Sequence, residues 1–312
     1  LDILSILRKK IVTLPEGNYS AGLQAVLLHI EVASRHLTRG QQHNDETAYT
    51  DAIYRTNQAF EGGIKEAYRV LAEENPDKKR PYDIENYFAQ QSTLPDRILT
   101  QFTNYRTDWR NPSTHNYKLD FDESEAFLAI ISVTGFACVL IDQVAERLSF
   151  VASKKEADST KPYVESKTAE AQEDLIDRFS NMLLIFSQQR QTESLNIPIR
   201  SENQLIGAVM GFISSVAPTL ELFPEKKLVI DKPERADLVV SDGKEEILVE
   251  FKRNRLSSSV LHASLAQLER YLTLSNLKMG ILYFFSDQKD YEAEVHQLKE
   301  SNKKIIVIKP KK

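Results

Sequence analysis

The chain has 312 residues, 41% of them hydrophobic and 27% charged, a globular profile with room for two domains. Its 40 Lys and Arg stand against 45 Asp and Glu, so no general attraction to nucleic acid is expected from the net charge of −5. The balance is uneven: residues 225–312 carry 17 basic against 14 acidic side chains (net +3), which leaves −8 for the rest. The one cysteine, Cys138, excludes an intramolecular disulfide framework and reads as a buried thiol. Neither a Gly-rich phosphate loop nor an HExxH or Cys/His cluster occurs, so built-in ATP hydrolysis and a zinc site are not expected.

From the N-terminus, apolar residues at helical spacing predict a helix over Gly22–Leu37 and a second over Thr47–Leu71, where Gly62-Gly63 marks a break or a close helix contact. Asn75-Pro76-Asp77 and Arg80-Pro81-Tyr82-Asp83 read as loop. A shorter helix is expected over Asp96–Tyr105, and Asp122, Glu123 and Glu125 open a long apolar helix to about Leu148, with acids where the helix dipole favours them. The apolar run Ala126–Ile141, interrupted by Ser132, Thr134 and Gly135, reads as a buried helix too short for a membrane span. Residues 1–152 are thus expected to form an all-α bundle. Residues 153–170 are polar and aperiodic and read as a linker. Beyond it, over residues 171–312, a helix is expected over Ala171–Gln189, then a capping box, Ser201 with Gln204, ahead of Leu205–Val216. Strands follow over Lys227–Ile230, Ala236–Val240 and Ile247–Lys252, a helix over Ser258–Leu274, a strand over Met279–Phe285, a helix near Tyr291–Ser301 and a strand over Lys304–Ile308. This alternation implies an α/β domain.

Two motifs carry chemistry. In the second domain, Ser241-Asp242-Gly243-Lys244 separates two strand-like runs, a strong hairpin signal. If Ile247, Val249 and Phe251 face a core, Glu250 and Lys252 share the other face, and the hairpin can bring Asp237 to the same side. Two carboxylates and an ammonium on rigid strands suit a divalent metal and phosphodiester hydrolysis. Lys252, Arg253 and Arg255 cluster there, and Lys303, Lys304, Lys309, Lys311 and Lys312 add basic charge toward the tail. The spacing Asp237-x12-Glu250-x-Lys252 resembles the PD-(D/E)xK nucleases, the restriction-endonuclease-like fold, across about residues 175–312. Glu202 at the start of a preceding helix and Gln267 on the following one resemble further positions of that site. Ala236 departs from the proline in the motif's name. The resemblance implies Asp237 and Glu250 as ligands of Mg²⁺ or Mn²⁺, Lys252 orienting water or stabilising charge, Glu202 and Gln267 in support, and Arg253 and Arg255 contacting substrate.

In the first domain, Arg110-Asn111-Pro112-Ser113-Thr114-His115 lies ahead of the long helix. Arg can clamp a phosphate bidentately and His can move the proton of an RNA 2′-hydroxyl. The spacing resembles the Rx4-6H motif of HEPN domains, many of them metal-independent RNases, across about residues 15–150. That resemblance implies Arg110 and His115 as catalytic residues, Asn111 as an aligning or phosphate-contacting side chain, and no cofactor. One motif per chain then implies a homodimer.

These readings combine into a homodimeric, cytoplasmic nuclease without membrane contact: a C-terminal domain cutting DNA with Mg²⁺ or Mn²⁺ and a HEPN-like domain for dimerisation and RNA cleavage. Both families recur in prokaryotic antiviral defence, which implies partner proteins of such a system. Two alternatives stay open. One is a metal-independent HEPN ribonuclease whose second domain only binds nucleic acid; the other is a non-catalytic dimeric adaptor.

Overall fold

The structure, a computed structural model, describes residues 2–91, 94–115, 120–168, 174–192, 198–229, 233–253, 256–286, 290–298 and 303–311. The chain divides into two compact units, Leu1–Arg147 and Leu148–Lys312.

Among its described residues the first unit is helical: α1 (Ile3–Val12), α2 (Ser20–His43), α3 (Thr47–Leu71), α4 (Pro81–Gln90), α5 (Asp96–Tyr105), one π-helical turn (Arg106–Arg110), α6 (Asn111–His115) and the first part of α7 (Glu123–Thr168). Helix α3 runs through Gly62-Gly63 without a break. A Cβ at Gly62 would stand 2.9 Å from Val26 Cγ2, so the glycine permits close approach of α2 and α3. The segment expected as loop at Arg80–Asp83 instead starts α4. Pro81 occupies the first turn, where its missing N–H is no loss, and Asp83 Oδ2 accepts from Arg80 N at 3.2 Å. Phe60 anchors the core, stacked on Tyr105 at 4.6 Å and meeting Phe102 and Phe136 at 5.3 and 5.4 Å.

Helix α7 departs from the sequence reading in its length and in its burial. It continues to Thr168, so residues 153–168 are helix and not irregular linker. They are held by packing: Ser153 and Ala157 are buried, and Ser215 Oγ donates to Asp158 at 2.6 Å. Over Glu123–Asp158 this one helix is long and apolar enough to cross a membrane by length and composition. It is not simply buried either: half of its apolar window lies inside the structure. Ala126, Val133 and Ile141 face inward, whereas Phe127, Leu128, Ile131 and Val139 face out. Cys138 is half-buried, and burial pushes its thiol pKa up.

The second unit combines the end of α7 with α8 (Leu175–Thr192), α9 (Glu202–Val216), α10 (Ser258–Ser275) and, among the described residues, a six-stranded mixed sheet in the order β1-β2-β3-β4-β6-β5. The strands are β1 (Glu221–Pro224), β2 (Leu238–Ser241), β3 (Glu246–Lys252), β4 (Met279–Phe284), β5 (Tyr291–Leu298) and β6 (Lys303–Pro310). β2 and β3 form the expected hairpin. Gly243 takes φ +85°, and Asp242 Oδ1 accepts from Lys244 N and Glu245 N at 2.9 Å each. Both sheet faces are covered. Ile247, Val249 and Phe251 pack in one layer with Leu183, Phe186 and Phe212, while Leu248 packs in another with Leu268 and Leu272 of α10.

Two strand assignments differ from the sequence reading. The segment read as a helix near Tyr291–Ser301 forms β5 as far as Leu298, with residues 299–301 outside the described residues. Its pairing with β6 runs Tyr291↔Pro310 to Leu298↔Lys303, and the Tyr291 hydroxyl accepts from Ser286 N and donates to Ser286 O, each at 2.8 Å. Tertiary pairing outweighs helix propensity here. The strand expected at Lys227–Ile230 is reduced to an isolated bridge, Lys227↔Arg235, with Ile230 outside the described residues. The regular strand is β1, and Glu225, at φ +52°, interrupts the ladder between them.

Candidate functional site

Strand alternation and the Asp-Gly turn place Asp237 opposite Glu250, just beyond the regular pairs of β2 with β3, where Leu238 meets Val249. The contacts are reciprocal. Phe251 N donates to Asp237 Oδ2 at 2.8 Å, and Asp237 N donates to Glu250 Oε1 at 3.3 Å. Lys252 Nζ lies 3.2 Å from Glu250 Oε2, and Gln267 Nε2 donates to the same oxygen at 3.1 Å from the adjoining face of α10. The side chains of Lys252 and Gln267 and the backbone N–H of Asp237 thus converge on the carboxylate of Glu250, which is 1% exposed.

Glu202 stands at the rim. The capping box forms: Ser201 Oγ accepts from Gln204 N at 3.2 Å, and Gln204 Oε1 accepts from Ser201 N at 3.1 Å and from Arg200 N at 2.7 Å. That fixes the first turn of α9, from which exposed Glu202 accepts Arg253 N at 3.3 Å. Arg253 Nε donates to Ile199 O at 2.9 Å, so this guanidinium also ties the end of β3 to the chain ahead of α9. Arg255 lies outside the described residues. Of the basic residues nearer the tail, Lys304 pairs with Asp177 at 2.6 Å and Lys309 with Glu294 at 2.6 Å, so both charges are engaged within the unit.

The electrostatics match a buried like-charge pair. Burial, then the neighbouring Asp237, raises the pKa of Glu250 to about 7. Burial also raises Asp237, with Glu202 adding to it and Lys252 and the Phe251 N–H opposing. For Lys252, burial pulls down, but Glu250, Asp237 and Glu202 together outweigh it and leave the ammonium above its ordinary value. Among the described residues no three His, Cys, Asp or Glu side chains gather as a metal cage. Asp237 and Glu250 remain a hard-oxygen pair in which both carboxyls are raised, the electrostatic condition that a small divalent cation relieves.

In the first unit, Arg110 ends the π-helical turn and Asn111 opens α6. Arg110 Nε donates to Glu61 Oε1 at 3.2 Å, and Arg110 Nη1 to Asn111 Oδ1 at 3.3 Å. The turn is fixed from below. Ser113 Oγ donates to Arg110 O at 3.0 Å and accepts from Asn57 Nδ2 at 2.6 Å, while Tyr105 donates to Asn57 Oδ1 at 3.3 Å. Trp109 packs on Phe121, their ring centroids 6.4 Å apart. His115 ends α6, but its side chain lies outside the described residues, so Arg110 and Asn111 are the members of this motif with a described geometry. Glu61 and Asn57 were missed in the sequence: each sits on α3, 49 and 56 residues from its partner, and neither has a local pattern pointing to it.

No protein-family model, no curated protein and no solved structure matches this chain.

Proposed function

We propose that the second unit is a restriction-endonuclease-like, metal-dependent phosphodiester hydrolase acting on DNA. The observation that carries this reading is the convergence of Asp237, Glu250, Lys252 and Gln267: an acid just ahead of β2, an acid and a base on β3 and an amide on α10, all meeting at one buried carboxylate. Asp237 and Glu250 would hold Mg²⁺ or Mn²⁺, which when bound supplies Lewis-acid polarisation of a phosphoryl oxygen. Lys252 is anchored at Glu250 with its ammonium raised in pKa, suited to orient an attacking water and to face the negative charge that grows on the phosphorane oxygens. Gln267 and Lys252 share Glu250 Oε2 and hold that carboxylate in one rotamer. Glu202, fixed by the cap of α9, supports the site from the rim and not from within the hydrogen-bonded group.

The first unit is read as a HEPN-like helical domain that pairs two chains and cleaves RNA without metal. Arg110, presented by Glu61 and Asn111, is suited to grip a phosphate. The outward apolar residues of α7 supply a surface for a second copy, which one motif per chain requires. Nuclease function in prokaryotic antiviral defence is the biological setting that this pairing of domains suggests.

The deciding experiment incubates purified protein with duplex DNA and with single-stranded RNA, in Mg²⁺, in Mn²⁺ and in EDTA. Metal-dependent DNA cleavage that disappears in Glu250→Ala and Lys252→Ala but persists in Arg110→Ala is the expected result. EDTA-resistant RNA cleavage lost in His115→Ala, with no DNA cleavage, would transfer the activity to the first unit. No cleavage of either substrate by a folded dimer would leave an adaptor.

A further inference from the structure

A groove between α1 and α2 in the first unit lies outside everything assigned so far. It is a shallow groove, open to solvent, of about 460 Å³, lined by Arg8 from α1 and by Arg35, Arg39, Gln42 and His43 from α2. Those four α2 residues follow the i, i+4, i+7, i+8 spacing that keeps side chains on one helix face. Among the lining residues Glu31 is the one carboxylate, and Arg8 engages it at 2.7 Å.

The cations are not equivalent. Arg39 is held from behind, with Nε 3.1 Å from Asp45 and Nη2 2.9 Å from Asp51, so its guanidinium is already oriented. Arg35 is exposed and forms no ion pair among the described residues. The local field is felt by His36 on the same helix: burial lowers its pKa first, Asp51 opposes, and Arg39, Arg55 and Arg35 lower it further. Cations near a helix C-terminus are favourable without any ligand. Arg8 and Arg35 lie outside the last turn of α2, however, and they point into the same concave space.

We propose that this groove is a binding site for a phosphate-bearing ligand, with Arg8, Arg35 and Arg39 as its cationic contacts and Gln42 and His43 as side-chain donors. A fork of guanidinium N–H groups matches phosphate oxygens bidentately. Because the groove is open, a nucleotide or a short stretch of single-stranded RNA backbone can lie along it with its phosphates against the guanidinium groups, and the chemistry that recognises either is the same. The proposal is independent of the hydrolytic reading of the Asp237–Glu250 hairpin.

The test titrates the full chain with ATP, with pyrophosphate and with a short fluorescein-labelled single-stranded RNA, by calorimetry for the first two and anisotropy for the third. Binding of at least one probe is expected, weakened about tenfold or more by Arg35→Glu and by Arg8→Glu. Lys78→Glu makes the same charge change at an exposed site on this unit outside the groove and is expected to leave binding unchanged. Hydrogen exchange on the unmodified chain, which needs no variant to fold, should slow over residues 3–12 and 31–43 when the probe is bound. ATP or pyrophosphate binding without RNA binding identifies a free nucleotide or phosphate as the source. RNA binding that pyrophosphate displaces identifies the nucleic-acid backbone. Absence of binding by every probe overturns the proposal, as does an equal loss in Lys78→Glu or protection confined to other segments.

Discussion

Gln267 donates its side-chain N–H to Glu250 Oε2 at 3.1 Å, bridging α10 and β3. Lys252 reaches the same oxygen at 3.2 Å, so Oε2 is fixed by two donors from different elements. Gln267→Leu removes one of them without removing a charge. Metal-dependent DNA cleavage should fall about 10–100-fold, with a higher Mg²⁺ requirement, while the melting temperature changes little. Single-turnover cleavage across a Mg²⁺ titration measures this. An unchanged Mg²⁺ dependence would remove Gln267 from any positioning role.

Glu250 also gives the protein a distinctive acid–base signature. Burial, then Asp237, raises its pKa from 4.5 to about 7. Between those values the folded chain keeps a proton that the unfolded chain has released, so this group's contribution to stability is full below the lower value and is lost as pH rises through the upper one. The contribution lost is about 3 kcal/mol. Denaturant unfolding between about pH 4 and about pH 8 should show the fall in the native chain and a flatter profile in Glu250→Gln. Above the upper value, added Mg²⁺ should restore stability to the native chain only. A rise in stability with pH, attributable to Glu250, would contradict the assignment.

Beneath the Arg110 turn, Asn57 serves Ser113 and Tyr105 together, and it is buried. Asn57→Ala should destabilise the protein by about 1–3 kcal/mol, because the Ser113 and Tyr105 hydroxyls each lose one buried hydrogen-bond partner. Chemical denaturation gives the magnitude. A parallel loss of EDTA-resistant RNA cleavage, in variant protein shown to be folded, would tie this network to Arg110. A variant as stable as the native chain would mean that water replaces the Asn57 contacts.

The outward face of α7 offers a further test. Phe127 and Leu128 are each 53% exposed and Ile131 is 39% exposed, a continuous apolar strip one helical face wide. The double change Phe127→Ser with Ile131→Ser should shift the chain from dimer toward monomer in light scattering, with little change in helix content. A native chain that is monomeric throughout the measured concentration range would exclude self-association by this surface.

The hairpin was the most legible part of the molecule. Period-two alternation and one Asp-Gly turn settle which residues of β2 and β3 share a face, and those are local properties. Alternation is silent on what covers that face. The burial of Glu250 follows from α10 packing above it, a relation between elements that begins beyond the hairpin. The same limit explains β5, where the local helix preference of Tyr291–Leu298 yields to pairing with β6. Residues 153–168 were misread for a related reason. Polar helix formers without an apolar stripe look like a linker until Ala157 and Asp158 find α9. Glu61 left no trace in the sequence because its meaning lies wholly in the distant Arg110.

β5 has one further consequence. It is the last strand of the sheet, eight residues long, and its outer edge carries backbone groups of the kind that template intermolecular pairing. Glu292 and Glu294 project from it at alternate positions, both within reach of Lys309. A second copy that aligned its own edge here would set carboxylates against carboxylates and compete for the same lysines. Charged side chains on an edge strand disfavour edge-to-edge pairing, and replacing Glu292 and Glu294 by Val should increase aggregation in light scattering relative to the native chain.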